Sequence, residues 1–468
     1  MADMRPRLAL KAVRSARLAA VDLALAPGEC AAVMGPSGSG KSLLLRQVAD
    51  LDPGEGEVEL DGAPRSGMAG YEWRRQVIYC QAEAGWWEER VAAHFDDAAA
   101  AVGLVERLGL APEKMQALVR ELSTGERQRL GLARALVKRP RALLLGRTHG
   151  GPGSGRHRAC RDRGPPLSGR RRRGVAGDAQ RGTGATPLPA RVADAAGQAG
   201  DAMDVIRLQA TDLLVASCLV LLCAAISFAL RLGMQRQTLW AAARTVVQLL
   251  LVGHILKLVF AHAAPWLTAL VAAAMMGLAA REVAARPKAR LAGHGNGWVG
   301  VAAVGATTLV TALFILNTAL RPDPWYDPRY VIALVGIVLG SVLNAASLAL
   351  DGMLAGASRE KLAIEARISL GAPPRLAFAT VLRESVRRGI LPSINQMSAA
   401  GIITLPGIMT GQIIAGMDPV EAAKYQILLM FLLCGASGMA AMGAAYGAMR
   451  RLSDGRGRLR LDRLHMPD

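Results

Sequence analysis

Gly35-Pro-Ser-Gly-Ser-Gly-Lys-Ser42 is the stretch that decides the fold of the first half of this chain. It fits the pattern G-x-x-x-x-G-K-[ST], in which small residues let backbone N–H groups surround phosphates while the lysine reaches the β and γ groups. The apolar residues 30–34 before it predict a buried strand, and residues 41–49 predict a helix whose N-terminus faces the anion. This pattern predicts an α/β domain with a nucleotide site at Gly35, Pro36, Ser37, Gly38, Ser39, Gly40, Lys41 and Ser42.

The phosphate loop also predicts the cofactors. The hydroxyl that closes this motif binds the Mg²⁺ that accompanies the nucleotide, so Ser42 is the candidate metal ligand. ATP and Mg²⁺ are therefore the expected cofactors.

Two further motifs follow the phosphate loop in chain order. Gln81 comes after a strand-like run at 76–79, and Leu122-Ser-Thr-Gly-Glu126 leads into a helical run ending near Leu136. Together the three motifs resemble the ATP-binding subunit of ABC transporters. The resemblance implies that Gln81 contacts the metal and the attacking water as a catalytic residue. It also implies that the γ-phosphate bound by a second ATPase copy is capped by Leu122, Ser123, Thr124, Gly125 and Glu126.

This half departs from the family pattern in two places. Residues 1–70 contain no Phe, Tyr or Trp, so the aromatic ring that usually stacks on adenine is absent. The run Ala142-Leu-Leu-Leu145 ends in Gly146-Arg147, where the family has the two acids of its Walker B motif. We therefore interpret 1–145 as a C-terminally truncated ABC ATP-binding domain, whose ability to hydrolyse ATP is an open question.

Residues 146–202 differ in composition from both halves of the chain. They hold eleven arginines, no lysine and no aromatic residue, a composition that predicts a disordered linker. If the first base of the Gly146 codon is skipped, residues 146–154 permit Asp-Glu-Pro-Thr-Ala-Ala-Leu-Asp-Pro, which matches the Walker B motif and D-loop of the family. In the same frame 177–179 permit Val-Thr-His, matching the family's switch histidine. We interpret 146–202 as out-of-frame translation.

Residues 203–468 predict an all-α transmembrane permease domain. The chain is 52% hydrophobic, and long apolar runs of bilayer-spanning length argue against a soluble protein. The prolines at 392 and 406 are expected to kink or break the span that contains them. We predict about seven spans, at 212–230, 239–261, 265–280, 298–320, 331–350, 390–416 and 424–449.

The distribution of Lys and Arg predicts the orientation. These residues crowd 281–290, 358–388 and 450–463, which the positive-inside rule assigns to the cytoplasm. Counting back through seven spans places the residues before 212 outside, where an attached ATPase would find no ATP. The expected form is therefore a separate permease that starts at Met203, a multi-pass protein of the bacterial cytoplasmic (inner) membrane.

Several stretches of the second half resemble the permease of the Fet-type iron exporters. They include Arg244-Thr-Val-Val-Gln248, 390–397 and Leu405-Pro-Gly-Ile-Met-Thr-Gly-Gln412. The resemblance implies export of a metal ion, with iron as the expected one, by a dimer of ATPase and permease in a lipid bilayer. Glu365, Ala366 and Gly371 resemble the coupling motif that ABC permeases insert into a groove of their ATPase. The surrounding segment 358–388 predicts amphipathic helices at the membrane surface.

Polar residues within predicted spans are candidates for a transport path, with interhelical hydrogen bonding as the alternative use. These candidates are Arg244, Gln248, Asn344, Asn395, Gln396, Thr410 and Gln412.

Three functions compete at this stage. The first is an ABC exporter whose two genes are joined by a frameshift. The second is a membrane protein that binds nucleotide without hydrolysing it. The third, an arginine-rich nucleic-acid binder, rests on 146–202 and a net charge of +19. Much of that charge belongs to the permease loops, so no nucleic-acid partner is expected.

Overall fold

A computed structural model describes residues 6–146 and 210–465, apart from 232, 263, 288 and 293–294. Of the segment 146–202, which we interpret as out-of-frame translation, only Gly146 belongs to this described part.

The strands of the first domain are β1 (Leu8–Ser15), β2 (Leu18–Leu25), β3 (Glu55–Leu60), β4 (Ala63–Pro64), β5 (Val77–Cys80) and β6 (Ala142–Leu145). The first four form an antiparallel sheet of order β2-β1-β3-β4. Leu8, Ala9 and Leu10 of β1 are all buried, and the register with β2 then shifts between Leu10 and Val13, where Ala12 adopts a φ of 49°. A second sheet pairs β5 and β6 in parallel, with Val77 opposite Ala142.

Four α-helices pack around these strands. Trp73 is fully buried beside β1 and β3, and its indole N–H donates to the carbonyl of Val48 at 2.9 Å, which fixes the second helix against the end of the first. The helices are α1 (Lys41–Val48), α2 (Gly70–Gln76), α3 (Ala98–Arg107) and α4 (Thr124–Val137).

The prediction of a buried strand at 30–34 is wrong. These residues form no strand, and the Met34 side chain is 87% exposed. A strand in the middle of a parallel sheet is buried only when strands pair with its edges and helices cover its faces. In the described part of the chain, β6 pairs with β5 and no strand pairs with 30–34. The apolar run therefore stays at the surface beside the phosphate loop.

The second domain is helical, as predicted, with one short β ribbon. Its centre is a three-helix contact in which small residues allow close approach: a Cβ on Gly389 would lie 2.7 Å from both the Ala345 carbonyl oxygen and the Ala441 Cβ. Two π-helical turns, Val301–Gly305 and Leu316–Leu320, flank the helix Ala306–Ile315. The helices are α5 (Ala210–Ala229), α6 (Gln235–His262), α7 (Pro265–Ala285), α8 (Gly295–Gly300), α9 (Ala306–Ile315), α10 (Pro328–Arg359), α11 (Lys361–Ser369), α12 (Pro374–Ala377), α13 (Ala379–Ala399), α14 (Gly407–Ile414) and α15 (Pro419–Leu452), with a short ribbon of β7 (Arg290–Leu291) and β8 (Leu464–His465).

Five helices of the described residues are long and apolar enough to cross a membrane, and Leu213–Ala229 is a shorter apolar helix. The predicted span 390–416 is not one continuous helix. α13 runs through Pro392 and stops at Ala399, and α14 starts after Pro406. Gly401 between them has a φ of 81°, which ends a right-handed helix. The count of seven spans remains a prediction.

The three segments rich in Lys and Arg lie on one side of the permease. β7 pairs with β8, which joins 281–290 to the C-terminal segment, and both α11 and the residues after α15 contact the ATPase domain. α10 and α15 each end at this side. The chain between Phe378 and Pro419 therefore runs from this side to the other end of α15, and α13 and α14 lie along this course.

Candidate nucleotide site and coupling interface

The phosphate loop has the backbone that its glycines predict. Gly38 and Gly40 have φ values of 85° and 87°, a left-handed region that other residues rarely adopt. A Cβ on Gly35 would lie 2.9 Å from the Ser39 Oγ, so the loop closes tightly there. Lys41 Nζ donates to the carbonyls of Gly35 at 2.9 Å and Pro36 at 2.6 Å. The lysine is thus held at the mouth of the loop, where phosphate oxygens could replace these carbonyls.

The loop borders an open cavity of about 410 Å³ lined by aliphatic side chains. Leu18, Val21 and Leu23 of β2 form one wall, and the exposed residues 31–34 form another. A nucleotide fits this arrangement, since α1 presents its N-terminus and the loop presents small residues. Its base would meet aliphatic carbons here, in agreement with the lack of aromatic residues in 1–70.

The signature segment forms the start of α4. Ser123 is the N-cap: its Oγ accepts from the Glu126 N–H at 3.3 Å, and the Glu126 carboxylate accepts from the Ser123 N–H at 2.8 Å. A hydrogen bond from Lys114, together with Ser123, lowers the pKa of Glu126 to about 2. Thr124 and Gly125 are exposed at the helix end, whereas Leu122 is buried in the core below it. Within the described residues no hydrogen bond or ion pair joins this segment to the phosphate loop.

The end of β6 shows what this reading frame lacks. Gly146 follows the strand, and its N–H donates to the Cys80 carbonyl at 2.9 Å, which continues the pairing with β5. In the ABC transporter family that this half resembles, this position carries the first acid of the Walker B motif. Glycine has no side chain that could bind Mg²⁺. Ser42 is exposed, and the described residues contain no group of three His, Cys, Asp or Glu side chains that could hold a metal. The residues present therefore fit the phosphates of ATP but do not complete a Mg²⁺ site.

Gln81 and the predicted coupling residue Glu365 are in direct contact. The Gln81 Nε2 donates to Glu365 Oε2 at 3.0 Å, across the boundary between ATPase and permease. Arg46 of α1 donates to both oxygens of the same carboxylate, at 3.1 and 3.0 Å, and also binds Asp52. Although burial acts to lower the Arg46 pKa, its hydrogen bonds to Asp52 and Glu365 together raise it. Glu365 thus links the phosphate-loop helix to the glutamine that follows β5.

The backbone of α11 lies unusually close to the ATPase. A Cβ on Gly85 would come within 1.9 Å of the Leu362 carbonyl oxygen, so only glycine permits this contact. Ala366 faces the small cavity beside Gln81. At the other end of the helix, Gly371 has a φ of 83°, and a Cβ there would lie 2.3 Å from the Arg75 Cγ. The three predicted coupling residues therefore all lie at this interface.

An arginine and tryptophan cluster, which sequence reasoning missed, extends the interface. The Arg367 guanidinium lies 4.8 Å from the Trp87 ring centroid, and its Nη2 is 3.7 Å from a Glu88 oxygen. Arg134 of α4 lies over Trp86 and Trp87, at 4.9 and 4.6 Å. Burial lowers the pKa of Arg134 to about 10. The cluster connects the coupling helix α11 with the helix that starts at the signature. The only signal in the sequence is the adjacent tryptophan pair.

Two of the predicted path residues are connected through side chains that sequence reasoning did not select. Arg244 on α6 lies 4.0 Å from Glu282 on α7, which lies 3.5 Å from Arg286. Arg286 in turn donates to the Asn344 Oδ1 on α10 at 2.9 Å. This chain of charged and amide groups joins three helices near the side of the permease that faces the ATPase.

The remaining path candidates are not brought together. Gln248 on α6 and the pair Asn395 and Gln396 on α13 are exposed on the single chain. The Thr410 hydroxyl donates to the Pro406 carbonyl at 3.2 Å, and the buried Gln412 Oε1 has no hydrogen-bond partner among the residues that the structure describes. Exposed amides in a membrane-spanning region are costly in lipid, so this face of α13 suits contact with protein or water.

These observations define the class of the protein: a phosphate-loop ATPase domain joined by a helical interface to a multispan permease, which is the organisation of an ABC transporter. Residues 18–146 match the family described as ABC transporter. Residues 210–453, more than half of the chain, match the Uncharacterised protein family (UPF0014), and the chain belongs to that family.

Relatives of the permease half match over most of their length. A UPF0014 membrane protein of Synechocystis sp. is 39% identical over 206 residues, covering 43% of this chain and 77% of the relative. The probable iron export permease protein FetB of Escherichia coli (strain K12) is 30% identical over 247 residues, covering 53% of this chain and 93% of the relative.

Relatives of the ATPase half match over a smaller part. The aliphatic sulfonates import ATP-binding protein SsuB of Ralstonia nicotianae is 40% identical over 137 residues, covering 27% of this chain and 45% of the relative. The chain spans about half of the length, or less, of the curated ATPases that it matches. The ATPase half therefore supports the class of machine and not its cargo.

Proposed function

We propose that the two halves of this chain belong to an ATP-driven exporter of metal ions, with iron as the cargo, that works as a dimer in the bacterial inner membrane. The observation that carries the proposal is the contact of Glu365 with Gln81 and Arg46. A carboxylate of the permease there meets both the helix that starts at the phosphate loop and the glutamine next to it. The iron cargo and the outward direction are supported by the permease relative named a probable iron export permease.

The residues divide the work as follows. The phosphate loop binds the β and γ phosphates of ATP through its backbone and Lys41. The helix start at Ser123 is offered to the nucleotide held by a second copy. Glu365 and its neighbours Ala366 and Gly371 pass movement of the ATPase to α10 and α13. On the permease side, the exposed Asn395 and Gln396 would face the second copy. The contacting side chains of Arg244, Glu282, Arg286 and Asn344 would line the path near the ATPase.

Hydrolysis belongs to the frame-restored form in this proposal. Mg²⁺, when bound, neutralises charge on the phosphates, and it needs a carboxylate besides Ser42. Restoring the frame after Leu145 supplies that acid at position 146 and a second acid at 147. Genomic DNA tests this directly: GGA and CGA codons at Gly146 and Arg147 support the restored acids. A GGC or GGT codon at Gly146 contradicts them, because the shifted triplet no longer encodes Asp.

Transport tests the whole proposal. Inside-out membrane vesicles that contain the frame-restored ATPase and residues 203–468 should accumulate iron when ATP is added outside. Vesicles with Lys41→Ala in the same proteins are the matched control and should accumulate none. Iron that moves without ATP, or equal accumulation in the control, would contradict ATP-driven export.

The alternative is a membrane protein that binds nucleotide without hydrolysing it. The observation in its favour is Gly146, which leaves the end of β6 without a carboxylate in the frame as written. Under this alternative the DNA would show an intact frame through residues 140–210, and nucleotide would bind to the chain without turnover.

A further inference from the structure

The chain that follows α15 forms a hairpin, closed by an antiparallel bridge between Ser453 and Leu459. The Asp454 carboxylate accepts hydrogen bonds from the N–H groups of Arg456 at 3.0 Å and Arg458 at 2.9 Å. Gly457 between them has a φ of 72°, which lets the chain turn back. The local sequence therefore holds two arginines side by side at the tip. We call residues 453–459 the C-terminal hairpin.

Both arginines bind one buried carboxylate of the ATPase domain. Arg456 Nε lies 2.9 Å from Asp50 Oδ2, and Arg458 Nε lies 3.1 Å from Asp50 Oδ1, with a further contact from Arg458 Nη2 to Oδ1. The Asp50 side chain is fully buried in this contact, and that of Arg458 is 10% exposed. A charge so completely removed from water requires partners, and the hairpin supplies two of them.

The fit extends beyond the charges. Arg74, also fully buried, donates to the Asp50 carbonyl and, through Nη2, to the Arg456 carbonyl at 2.8 Å. Burial lowers the Arg74 pKa to about 10, with Asp50 acting in the opposite direction. A Cβ on Gly70 would lie 2.2 Å from the Arg456 carbonyl oxygen, so the hairpin backbone rests where only glycine leaves room.

The contact at Asp50 lies at the end of the phosphate-loop helix. Asp50 follows α1, the helix that begins at Lys41, and its φ of 59° turns the chain out of that helix. Arg46, one turn earlier on α1, carries the contact with Glu365 of α11. Two separate permease elements, more than 80 residues apart in the chain, therefore hold the same end of the phosphate-loop helix.

We propose that the C-terminal hairpin is a second docking element of the permease, which recognises an ATPase by the carboxylate at the end of its phosphate-loop helix. The partner that fits is an ABC ATPase domain with an acid at the position of Asp50 and glycine at the position of Gly70. This proposal depends neither on the transported ion nor on ATP hydrolysis. The competing explanation is that the hairpin arginines act only as positive charge that attracts anionic lipid headgroups. A control variant that removes the same charge nearby separates the two explanations.

The experiment uses the full chain in detergent, with a protease site inserted between residues 160 and 170 and an affinity tag ahead of Met1. After cleavage, the fraction of permease that stays on the tagged ATPase part is followed over time. In the Arg456→Gln, Arg458→Gln variant the permease should be released roughly 10-fold faster or more, because removal of one side of a buried charge pair acts mainly on dissociation.

The matched control removes the same charge from the adjacent turn, as Arg450→Gln, Arg451→Gln. These two side chains are exposed at the end of α15 and have no described hydrogen bond or ion pair to the ATPase domain. The control should release the permease at the rate of the unsubstituted chain. Equal release from both variants, or from the hairpin variant and the unsubstituted chain, would overturn the proposal.

A second measurement covers the case in which a variant alters folding. Amide hydrogen exchange of the uncleaved chain reports the residues under the hairpin, 65–75, without any cleavage. The hairpin variant should raise exchange there by about 10-fold while α3 stays unchanged. Gly70→Ala, which alters no charge and starts α2 with a better helix former, should raise release in the same way. Unchanged exchange at 65–75 in both variants would count against docking.

Discussion

Glu365→Gln is the substitution that most directly tests the link between nucleotide site and permease. The Glu365 side chain is 7% exposed, and it accepts two hydrogen bonds from Arg46 and one from Gln81 at 3.0 to 3.1 Å. An amide keeps the shape of the side chain but loses its charge. Arg46 still keeps both of its bonds to Asp52 at 2.7 and 2.8 Å, so it is not left unpaired.

The magnitude follows from these contacts. Hydrogen bonds to a charged group contribute about 1.5–3 kcal/mol, and the larger cost of about 3–5 kcal/mol applies when a buried charge loses all partners. Because Asp52 remains, the lower range applies. We expect docking of the ATPase part, measured after cleavage of the chain between the domains, to weaken by roughly 10- to 150-fold.

Glu360→Gln is the control for this prediction. Glu360 precedes the same helix, but its side chain is 31% exposed, and among the described residues it forms an ion pair only with Arg359, at 3.4 Å. A surface pair of this kind contributes about 0–1 kcal/mol. The double variant Arg46→Gln, Glu365→Gln should dissociate no faster than whichever of the two single variants dissociates faster. If the dissociation rate of the Glu365→Gln variant stays within threefold of that of the Glu360→Gln variant, Glu365 does not hold the two domains together as described.

Three further predictions concern activity, topology and pH. The chain as written should hydrolyse ATP no faster than its Lys41→Ala variant, and the frame-restored form should gain roughly 10²- to 10⁴-fold, as expected for a restored general base; turnover of the written chain well above the control would contradict this. Expressed from Met203, the permease should activate a cytoplasmic reporter fused after Asp468, and activation of a reporter at 203 instead would change the span count by one. Because the Glu126 pKa is lowered from 4.5 to about 2, its carboxylate stabilises the start of α4 above pH 4.5 and loses this effect as the pH falls through 2. Glu126→Gln should therefore speed amide exchange in the first turn at pH 6, and the difference from the unsubstituted chain should shrink toward pH 2 and vanish below it.

The sequence predicted the parts of this protein that are encoded by local patterns. Glycine spacing predicted the phosphate loop, the residues after Glu126 predicted a helical run, and long apolar runs predicted the helical second domain. The strand at 30–34 failed because burial of a central strand depends on neighbours that the residues themselves do not encode. The break after Ala399 was anticipated only as an effect of proline, whereas Pro392 lies inside a continuous helix.

The contacts between the domains were less accessible to sequence reasoning. Glu365 could be selected because it resembles a known motif, but its partner Arg46 carries no pattern of its own. The contact of Asp50 with Arg458 joins residues 408 positions apart, and arginines in that tail were read only as charge that sets orientation. A buried pair becomes recognisable when the fold removes both groups from water, a property that no window of sequence contains.

α15 has a mechanical consequence that follows from its length. Its 34 residues extend about 51 Å at 1.5 Å per residue, so it forms a rigid rod longer than the hydrocarbon layer, which is about 30 Å thick. The rod runs without an intervening flexible joint into the hairpin that holds the end of α1. A tilt of a few degrees at the ATPase would thus shift the far end of the rod, near Pro419, by a few ångströms. One continuous helix, α15, would thus transmit a movement of the ATPase across the whole membrane.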